Sequence, residues 1–199
     1  LSVSYVPRFA TRALDYWSAF NQDWAARNKV NGYGYAKKGS IDATHGGEVA
    51  YPDSSLFWST LRFWIPLETY RGSHPEYFSE IGGRRVTTNN EDTDYCMTNA
   101  EVVQLTIAAV RKALRAAPNS TMISVSQNDH FSRYCRCPRC AELTAKQGAP
   151  SALVVHLVNQ VAEAIEEEFP RVKLTTLAYH WSQKPPRDMK VHQDRKSVV

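Results

Sequence analysis

Three of the four cysteines in this 199-residue chain lie within six positions, as Cys135-x-Cys137-x-x-Cys140. Bridging Cys135 to either neighbour is awkward in so tight a loop, because a disulfide requires a specific separation and orientation of the two Cβ atoms. Thiolates at this spacing suit one soft metal ion. Cys96 is the natural fourth ligand, and we predict a structural zinc site formed by these four cysteines. Because protein ligands would fill every position, the ion would hold the loop and could not activate water.

Other arrangements of the cysteines stay open at this stage. An even number would permit two disulfides in a secreted protein, and free thiols are a third arrangement. His156, which follows the cysteine loop on a predicted helix, is an alternative fourth ligand. A histidine on a helix is more often structural, so we favour Cys96 as the fourth ligand.

The composition of the chain limits the classes of partner that we expect it to bind. The chain is 43% hydrophobic and 22% charged, which is typical of a globular protein, and its net charge of +4 comes from scattered basic residues. Scattered charge disfavours nucleic acid as a partner, because nucleic-acid binding needs a basic patch. No apolar run is long enough to span a bilayer, and the first residues lack a signal-peptide pattern, so we expect no membrane partner.

Helix and strand patterns alternate along the second half of the chain. Apolar residues at helical spacing follow Thr98-Asn-Ala-Glu101, a strand pattern covers 121–126, a second helix pattern begins near 150, and another strand covers 172–178. This order predicts parallel strands with right-handed crossovers. The strand tips at 127–130 and 179–181 should then lie side by side. Earlier strands are predicted at 1–6 and 61–65.

Motifs spread along the chain resemble a bacterial family catalogued as domain of unknown function 4838. They are Arg27-Asn28-x-x-Asn31-Gly32, His74-Pro75-Glu76-Tyr77-Phe78, Cys96-x-Thr98-Asn99, Ser124-x-Ser126-Gln127-Asn128-Asp129, Tyr134-Cys135-x-Cys137-x-x-Cys140, and Leu177-Ala178-Tyr179 followed by Lys184-Pro185-Pro186. The resemblance implies a relation to the (β/α)₈ glycoside hydrolases, especially the hexosaminidase and α-glucuronidase lineages. It also implies a secreted or periplasmic location.

We therefore predict an α/β fold of the TIM-barrel-like (β/α)₈ type. A full barrel needs about 250 residues, and the sequence shows about five strands, so we predict a partial barrel. Residues 1–199 would form a single barrel-type domain, truncated at its C-terminus. Further sequence or a second copy of the chain, in a homo-oligomer, would complete it.

The resemblance directs attention to carboxylates at strand tips, since glycoside hydrolysis usually needs two of them. Asp129 is the candidate acid and Glu68, just past the strand predicted at 61–65, is the candidate second carboxylate. Candidate substrate-binding residues are Gln127, Asn128, His180, Trp181, Arg8 and Arg12. Each has a structural alternative: Asp129 could cap the cysteine loop, the arginines could be solvated, and the aromatic residue could belong to the core.

The leading functional hypothesis is a glycoside-hydrolase-like domain that acts on or binds a polysaccharide. The first alternative is a non-catalytic carbohydrate-binding or scaffold domain. The second is a zinc-containing tRNA-modifying barrel, because the Cys-x-Cys-x-x-Cys pattern followed by a helix with His156 is similar to the zinc motif of tRNA-guanine transglycosylases. The other motifs have no place in those enzymes, which disfavours this alternative.

Overall fold

The computed structural model describes residues 6, 8, 12–14, 16–30, 32–33, 51–52, 54–89 and 93–192. Helices dominate the described residues. The elements in chain order are β1 (Ala13–Leu14), α1 (Gln22–Arg27), β2 (Gly32–Tyr33), α2 (Leu61–Trp64), α3 (Leu67–Tyr70), β3 (Glu80–Ile81), β4 (Arg84–Arg85), α4 (Ala100–Ala116), β5 (Met122–Ser124), α5 (Pro138–Gln147), α6 (Ser151–Ile165) and β6 (Lys173–Thr175). None of the helices in the described residues is long and apolar enough to cross a membrane.

The predicted (β/α)₈ barrel is wrong for the described part of the chain. The strands there form three separate two-stranded sheets: β1 with β2 in parallel, β3 with β4 antiparallel, and β5 with β6 in parallel. Each strand is only two or three residues long. Pairs this short do not close into a barrel, so the described residues contain no ring of strand ends.

The strand predicted at 61–65 is also wrong, because these residues form α2. Ile65 donates its backbone N–H to the carbonyl of Leu61 at 2.8 Å, and Trp64 donates to Thr60 at 3.1 Å. Aromatic and β-branched residues favour strands mainly because they pack well on a half-buried surface. Here a helical turn provides that burial, since Leu61 and Trp64 face the core. Residues 1–5 of the other predicted early strand lie outside the described residues.

Two long amphipathic helices, α4 and α6, supply a large share of the main core. The buried residues of α4 are Val102, Val103, Thr106, Ile107, Val110 and Leu114. Those of α6 include Leu153, Leu157, Val161 and Ile165. Burying each large aliphatic side chain stabilises the fold by about 1.5–3 kcal/mol. Ile123 of β5 belongs to the same core.

The parallel pairing of β5 with β6 confirms the prediction that two strand tips lie side by side. Met122, Ile123 and Ser124 pair with Lys173, Leu174 and Thr175. Beyond the strands, Gln127 donates its side-chain Nε2–H to the carbonyl of Tyr179 at 2.7 Å. The parallel order therefore brings 127–130 and 179–181 to one edge, although no barrel surrounds them in the described residues.

The starts of two helices differ from the predicted pattern. Asn99, and not Thr98, caps α4: its Oδ1 accepts the backbone N–H of Glu101 at 2.8 Å. Helix α5 was not predicted at all, because it begins inside the cysteine motif, with Pro138 in its first turn. Both helices thus begin next to cysteines.

Candidate metal centre and strand-end cluster

The four cysteines converge in the interior of the protein. The Sγ atom of Cys96 lies 3.6 Å from that of Cys137 and 3.8 Å from that of Cys140, and all four Sγ atoms lie within 4.8 Å of one another. All four side chains are buried and none is in a disulfide. Sulfurs bound tetrahedrally at about 2.3 Å from one ion are about 3.8 Å apart. This metal centre, Cys96, Cys135, Cys137 and Cys140, can therefore hold a metal ion.

Local structure explains why the spacing of Cys137 and Cys140 brings their sulfurs together. Cys137 immediately precedes α5 and Cys140 lies in its first turn, so the two sulfurs face the same point. The N-terminus of a helix carries partial positive charge, which favours thiolates there. Cys96 arrives from a different segment, held by its backbone N–H to the carbonyl of Tyr77 at 2.8 Å. The centre thus ties together residues more than forty positions apart.

Several groups donate hydrogen bonds to the sulfurs. The backbone N–H of Glu80 donates to Cys135 Sγ at 3.3 Å, and the hydroxyl of Thr98 lies 3.1 Å from Cys140 Sγ. Arg85 Nη1 lies 3.8 Å from Cys135 Sγ and donates to the carbonyl of Phe78 at 2.8 Å. Such outer contacts orient the ligands of a metal and balance their charge.

The electrostatics of the four thiols favour a cation. Hydrogen bonding to Cys135 and then to Cys140 lowers the pKa of Cys96. Hydrogen bonding to Cys135 and Cys96, together with burial, raises the pKa of Cys140, because a second anion would lie beside the first. Burial lowers the pKa of Arg85, but its hydrogen bond to Cys96 and the charge of Cys135 raise it above the usual value overall. A divalent ion would relieve the repulsion among the thiolates.

His156, the alternative fourth ligand, lies outside this group. It is half-buried on α6, and burial lowers the pKa of its imidazole. The four mutually close ligand atoms are all cysteine sulfurs.

An exposed group of side chains occupies the edge where β5 and β6 end. Asp129 Oδ1 lies 3.5 Å from His180 Nε2, and the Asp129 side chain is 52% exposed. The ring of His180 lies 3.7 Å from the ring of Tyr179 and 4.1 Å from the ring of Phe131, measured between centroids. Phe131 is 79% exposed. We call Asp129, Phe131, Tyr179 and His180 the strand-end cluster.

The backbone of His180 has a conformation that side chains rarely adopt. Its φ is +51°, in the left-handed region. A non-glycine residue pays for this conformation and keeps it only when its surroundings impose it, which is common at functional sites. Here Ser182 holds the turn, since its hydroxyl accepts the backbone N–H of Tyr179 at 3.0 Å. The His180 ring is thereby aimed at Asp129.

Gln127 and Asn128, predicted to bind substrate, lie in the interior. Gln127 is 1% exposed and Asn128 is 2% exposed. Asn128 donates its Nδ2–H to the carbonyl of Thr93 at 2.6 Å, and Gln127 contacts Tyr179 as described above. Both residues hold the strand tips against neighbouring loops, and a role in substrate binding stays a prediction.

In the described part of the chain, Glu68, Trp181 and Arg12 have partners other than Asp129. Glu68 pairs with Arg71 at 3.0 Å on the exposed face of α3, so Asp129 and Glu68 have different partners. Trp181 is buried, with its ring 5.3 Å from the ring of Tyr134. Arg12 donates its Nε–H to the carbonyl of Lys29 at 2.6 Å, and Arg8 is exposed. Their proposed roles in catalysis or binding stay predictions.

A buried acid–imidazole pair was missed at the sequence level. Asp94 is fully buried, and its Oδ2 lies 3.5 Å from Nε2 of His130. Burial raises the pKa of Asp94 well above its usual value, although backbone hydrogen bonds from Tyr95 and Asn128 lower it in part. The backbone N–H of Arg133 donates to His130 Nδ1 at 3.3 Å. Asp94 lies in an irregular segment, so no periodicity could have identified it.

Comparison with known protein families gives a match that covers nearly the whole chain. The family model described as Domain of unknown function (DUF4838) matches residues 1–196. No curated protein and no solved structure matches the chain.

Proposed function

The chain belongs to the family of domain of unknown function 4838, and we propose that it is a carbohydrate-binding domain whose ligand-facing edge is braced by a structural zinc ion. The observation that carries this proposal is the strand-end cluster. It combines a half-exposed carboxylate, an imidazole and two exposed aromatic rings at the ends of two parallel strands.

The chemistry of this cluster matches that of a sugar ring. A pyranose has an apolar C–H face that packs against an aromatic ring, and hydroxyl groups that donate to a carboxylate. Phe131 and Tyr179 offer the aromatic surface, and Asp129 offers the acceptor. His180 is already fixed by its turn, so binding would cost little ordering of that side chain.

Zinc is the ion we propose for the metal centre. Four buried thiolates in a tetrahedral arrangement form the donor set of structural zinc sites, and soft thiolates disfavour calcium and magnesium. The ion would connect the segment of Cys96 to the loop that follows β5. Since that loop also carries Asp129 and Phe131, the ion would limit the movement of the strand-end cluster.

Binding to a panel of immobilised oligosaccharides tests the carbohydrate proposal. We expect Phe131→Ala to weaken binding about tenfold, or about 1.4 kcal/mol, because a stacked ring is lost. Phe63→Ala is the matched control: Phe63 is also exposed, but lies on α2 against Arg62. Equal binding by the two variants, or no binding to any glycan by the unsubstituted chain, would refute the proposal.

Glycoside hydrolysis is the second candidate function. It is favoured by the solvent-accessible carboxylate of Asp129 beside His180, but a hydrolase needs a second carboxyl group at the bond to be cleaved. Release of reducing ends from the same glycans separates the candidates. A hydrolase loses turnover but keeps ligand in Asp129→Asn, whereas a binding domain shows no turnover in either form.

Elemental analysis of freshly purified, reduced protein tests the identity of the ion. We expect one zinc per chain, and we expect Cys137→Ser to lose it. Protein that is folded, reduced and free of zinc would overturn this part of the proposal.

A further inference from the structure

A second group of metal-ligating side chains lies where the His74-Pro75-Glu76-Tyr77-Phe78 motif meets the start of α4. Ligand atoms of His74, Glu76 and Glu101 all lie within 4.8 Å of one another. Nδ1 of His74 lies 3.0 Å from Oε1 of Glu76. Adjacent ligands of an octahedral ion are about 3 Å apart when each is about 2.1 Å from the ion. The separation of the first two atoms therefore already fits one ion.

We call His74, Glu76 and Glu101 the triad, and the buried Tyr77 contacts two of its side chains. The His74 ring stacks on the Tyr77 ring with centroids 4.6 Å apart and planes only 5° from parallel. Burial, and then its hydrogen bond to the Glu101 carboxylate, raise the pKa of Tyr77 to about 12. One buried residue thus orients both the imidazole and the carboxylate, as the outer contacts of metal sites do.

Glu76 brings one carboxylate to this point, and its backbone carbonyl accepts the Nη1–H of Arg85 at 3.3 Å. Glu101 brings a second carboxylate within 4.8 Å. Side chains of like charge at this distance repel, and a cation between them converts the repulsion into attraction.

We propose that His74, Glu76 and Glu101 bind a divalent transition-metal ion through one imidazole nitrogen and two carboxylate oxygens. This donor set suits ions such as Mn²⁺, Fe²⁺ or Zn²⁺, and differs from the all-sulfur set of the metal centre. Half of each of the His74 and Glu76 side chains is accessible to solvent. Three protein ligands leave further positions on the ion for water or an oxygen-bearing ligand.

Titration of Mn²⁺ into the chain, followed by electron paramagnetic resonance of the free ion, tests the proposal. Mn²⁺ is the probe because thiolates of the metal centre compete for it poorly. We expect one Mn²⁺ per chain. Glu76→Gln and Glu101→Gln should each weaken binding about 100-fold or more, and Tyr77→Phe, which removes only the hydroxyl behind Glu101, about tenfold.

Glu142→Gln is the matched control, because Glu142 is an exposed glutamate on α5 outside the triad. It should bind Mn²⁺ as the unsubstituted chain does. Zn²⁺ should displace Mn²⁺, and Ca²⁺ should not. Absence of stoichiometric Mn²⁺ binding, or equal binding by Glu101→Gln and Glu142→Gln with both variants folded by circular dichroism, would overturn the proposal and leave the triad a structural ion pair. Neither result bears on zinc in the metal centre, which elemental analysis measures separately.

Discussion

The metal centre and the strand-end cluster occupy one stretch of chain but differ in what surrounds them. In the metal centre, four sulfurs are buried and face one another, with donors from Glu80 and Thr98 around them. In the strand-end cluster, Asp129 and Phe131 face solvent. Only a few residues separate Phe131 from Cys135, so position in the chain does not explain the difference.

Burial separates the proposed roles of the two regions. A buried polar group must find its partners inside the protein, and a set that does so stabilises the fold. An exposed carboxylate beside exposed rings contributes little to stability and remains accessible to a ligand. The comparison predicts that substitutions in the metal centre change stability, and that substitutions in the strand-end cluster change binding.

The largest expected effect is that of Cys140→Ser. Loss of a thiolate ligand should release the ion and lower the free energy of unfolding by more than about 4 kcal/mol, because loss of a structural metal is among the most destabilising single changes. Chemical denaturation with parallel zinc analysis measures both quantities. Asp129→Asn is the contrasting variant and should stay within about 0.5 kcal/mol of the unsubstituted chain. Similar losses of unfolding free energy in the two variants would contradict the expected difference between the metal centre and the strand-end cluster.

A smaller effect is expected at Arg85, which contacts the metal centre without being a ligand. Arg85→Met removes the positive charge near Cys135 and should weaken metal affinity about 10- to 100-fold, as loss of an outer contact usually does. Arg84→Met is the control, since the neighbouring Arg84 is exposed. Competition with a chromophoric zinc chelator gives both affinities. Equal affinities would mean that Arg85 only braces the backbone.

Because Asp94 is buried, we expect the effect of its substitution on stability to depend on pH. Its folded-state pKa is raised above the unfolded value of about 3.9, so the folded chain keeps a proton that the unfolded chain loses as pH rises. The raised pKa of Asp94 therefore destabilises the native state at pH values above about 3.9, but not at lower pH. Asp94→Asn should match the unsubstituted chain at acid pH and gain on it, by about 1 kcal/mol, toward neutrality. Denaturation midpoints across pH 3 to 7 measure this, and a constant difference would contradict it.

The smallest effect is expected for Phe131→Ala. Because this ring is largely exposed, its removal should change the free energy of unfolding by less than about 0.5 kcal/mol. Thermal denaturation is the measurement. A large loss of stability would show that Phe131 supports the turn of His180. Phe131 would then be a structural residue, as those of the metal centre are.

Local constraints made part of the molecule predictable. Cys135, Cys137 and Cys140 followed from their spacing, because ligands of one ion that are close in sequence must occupy a few fixed offsets, and Cys96 was the one cysteine left in the sequence. The meeting of 127–130 with 179–181 followed from the order of helices and strands, which favours parallel pairing. Both are confirmed by the structure.

Tertiary contacts determine the structural features that the sequence pattern did not predict. Residues 61–64 have strand-like composition, but the helical turn buries Leu61 and Trp64 and lets the Trp64 indole donate to the carbonyl of Ser124 at 3.1 Å. Asp94 meets His130 only after the chain has folded. The barrel was expected from a family resemblance, and strands of two or three residues do not supply it in the described part of the chain.

Helix α5 begins directly after Cys137, and α4 begins four residues after Cys96. Starting a helix is its costly step, because several residues are fixed before the first hydrogen bond forms. An ion held by Cys96, Cys137 and Cys140 would fix the residues at both starts together and would close a loop of more than forty residues. The amount of correctly folded chain in a cell would then follow the supply of that ion during synthesis.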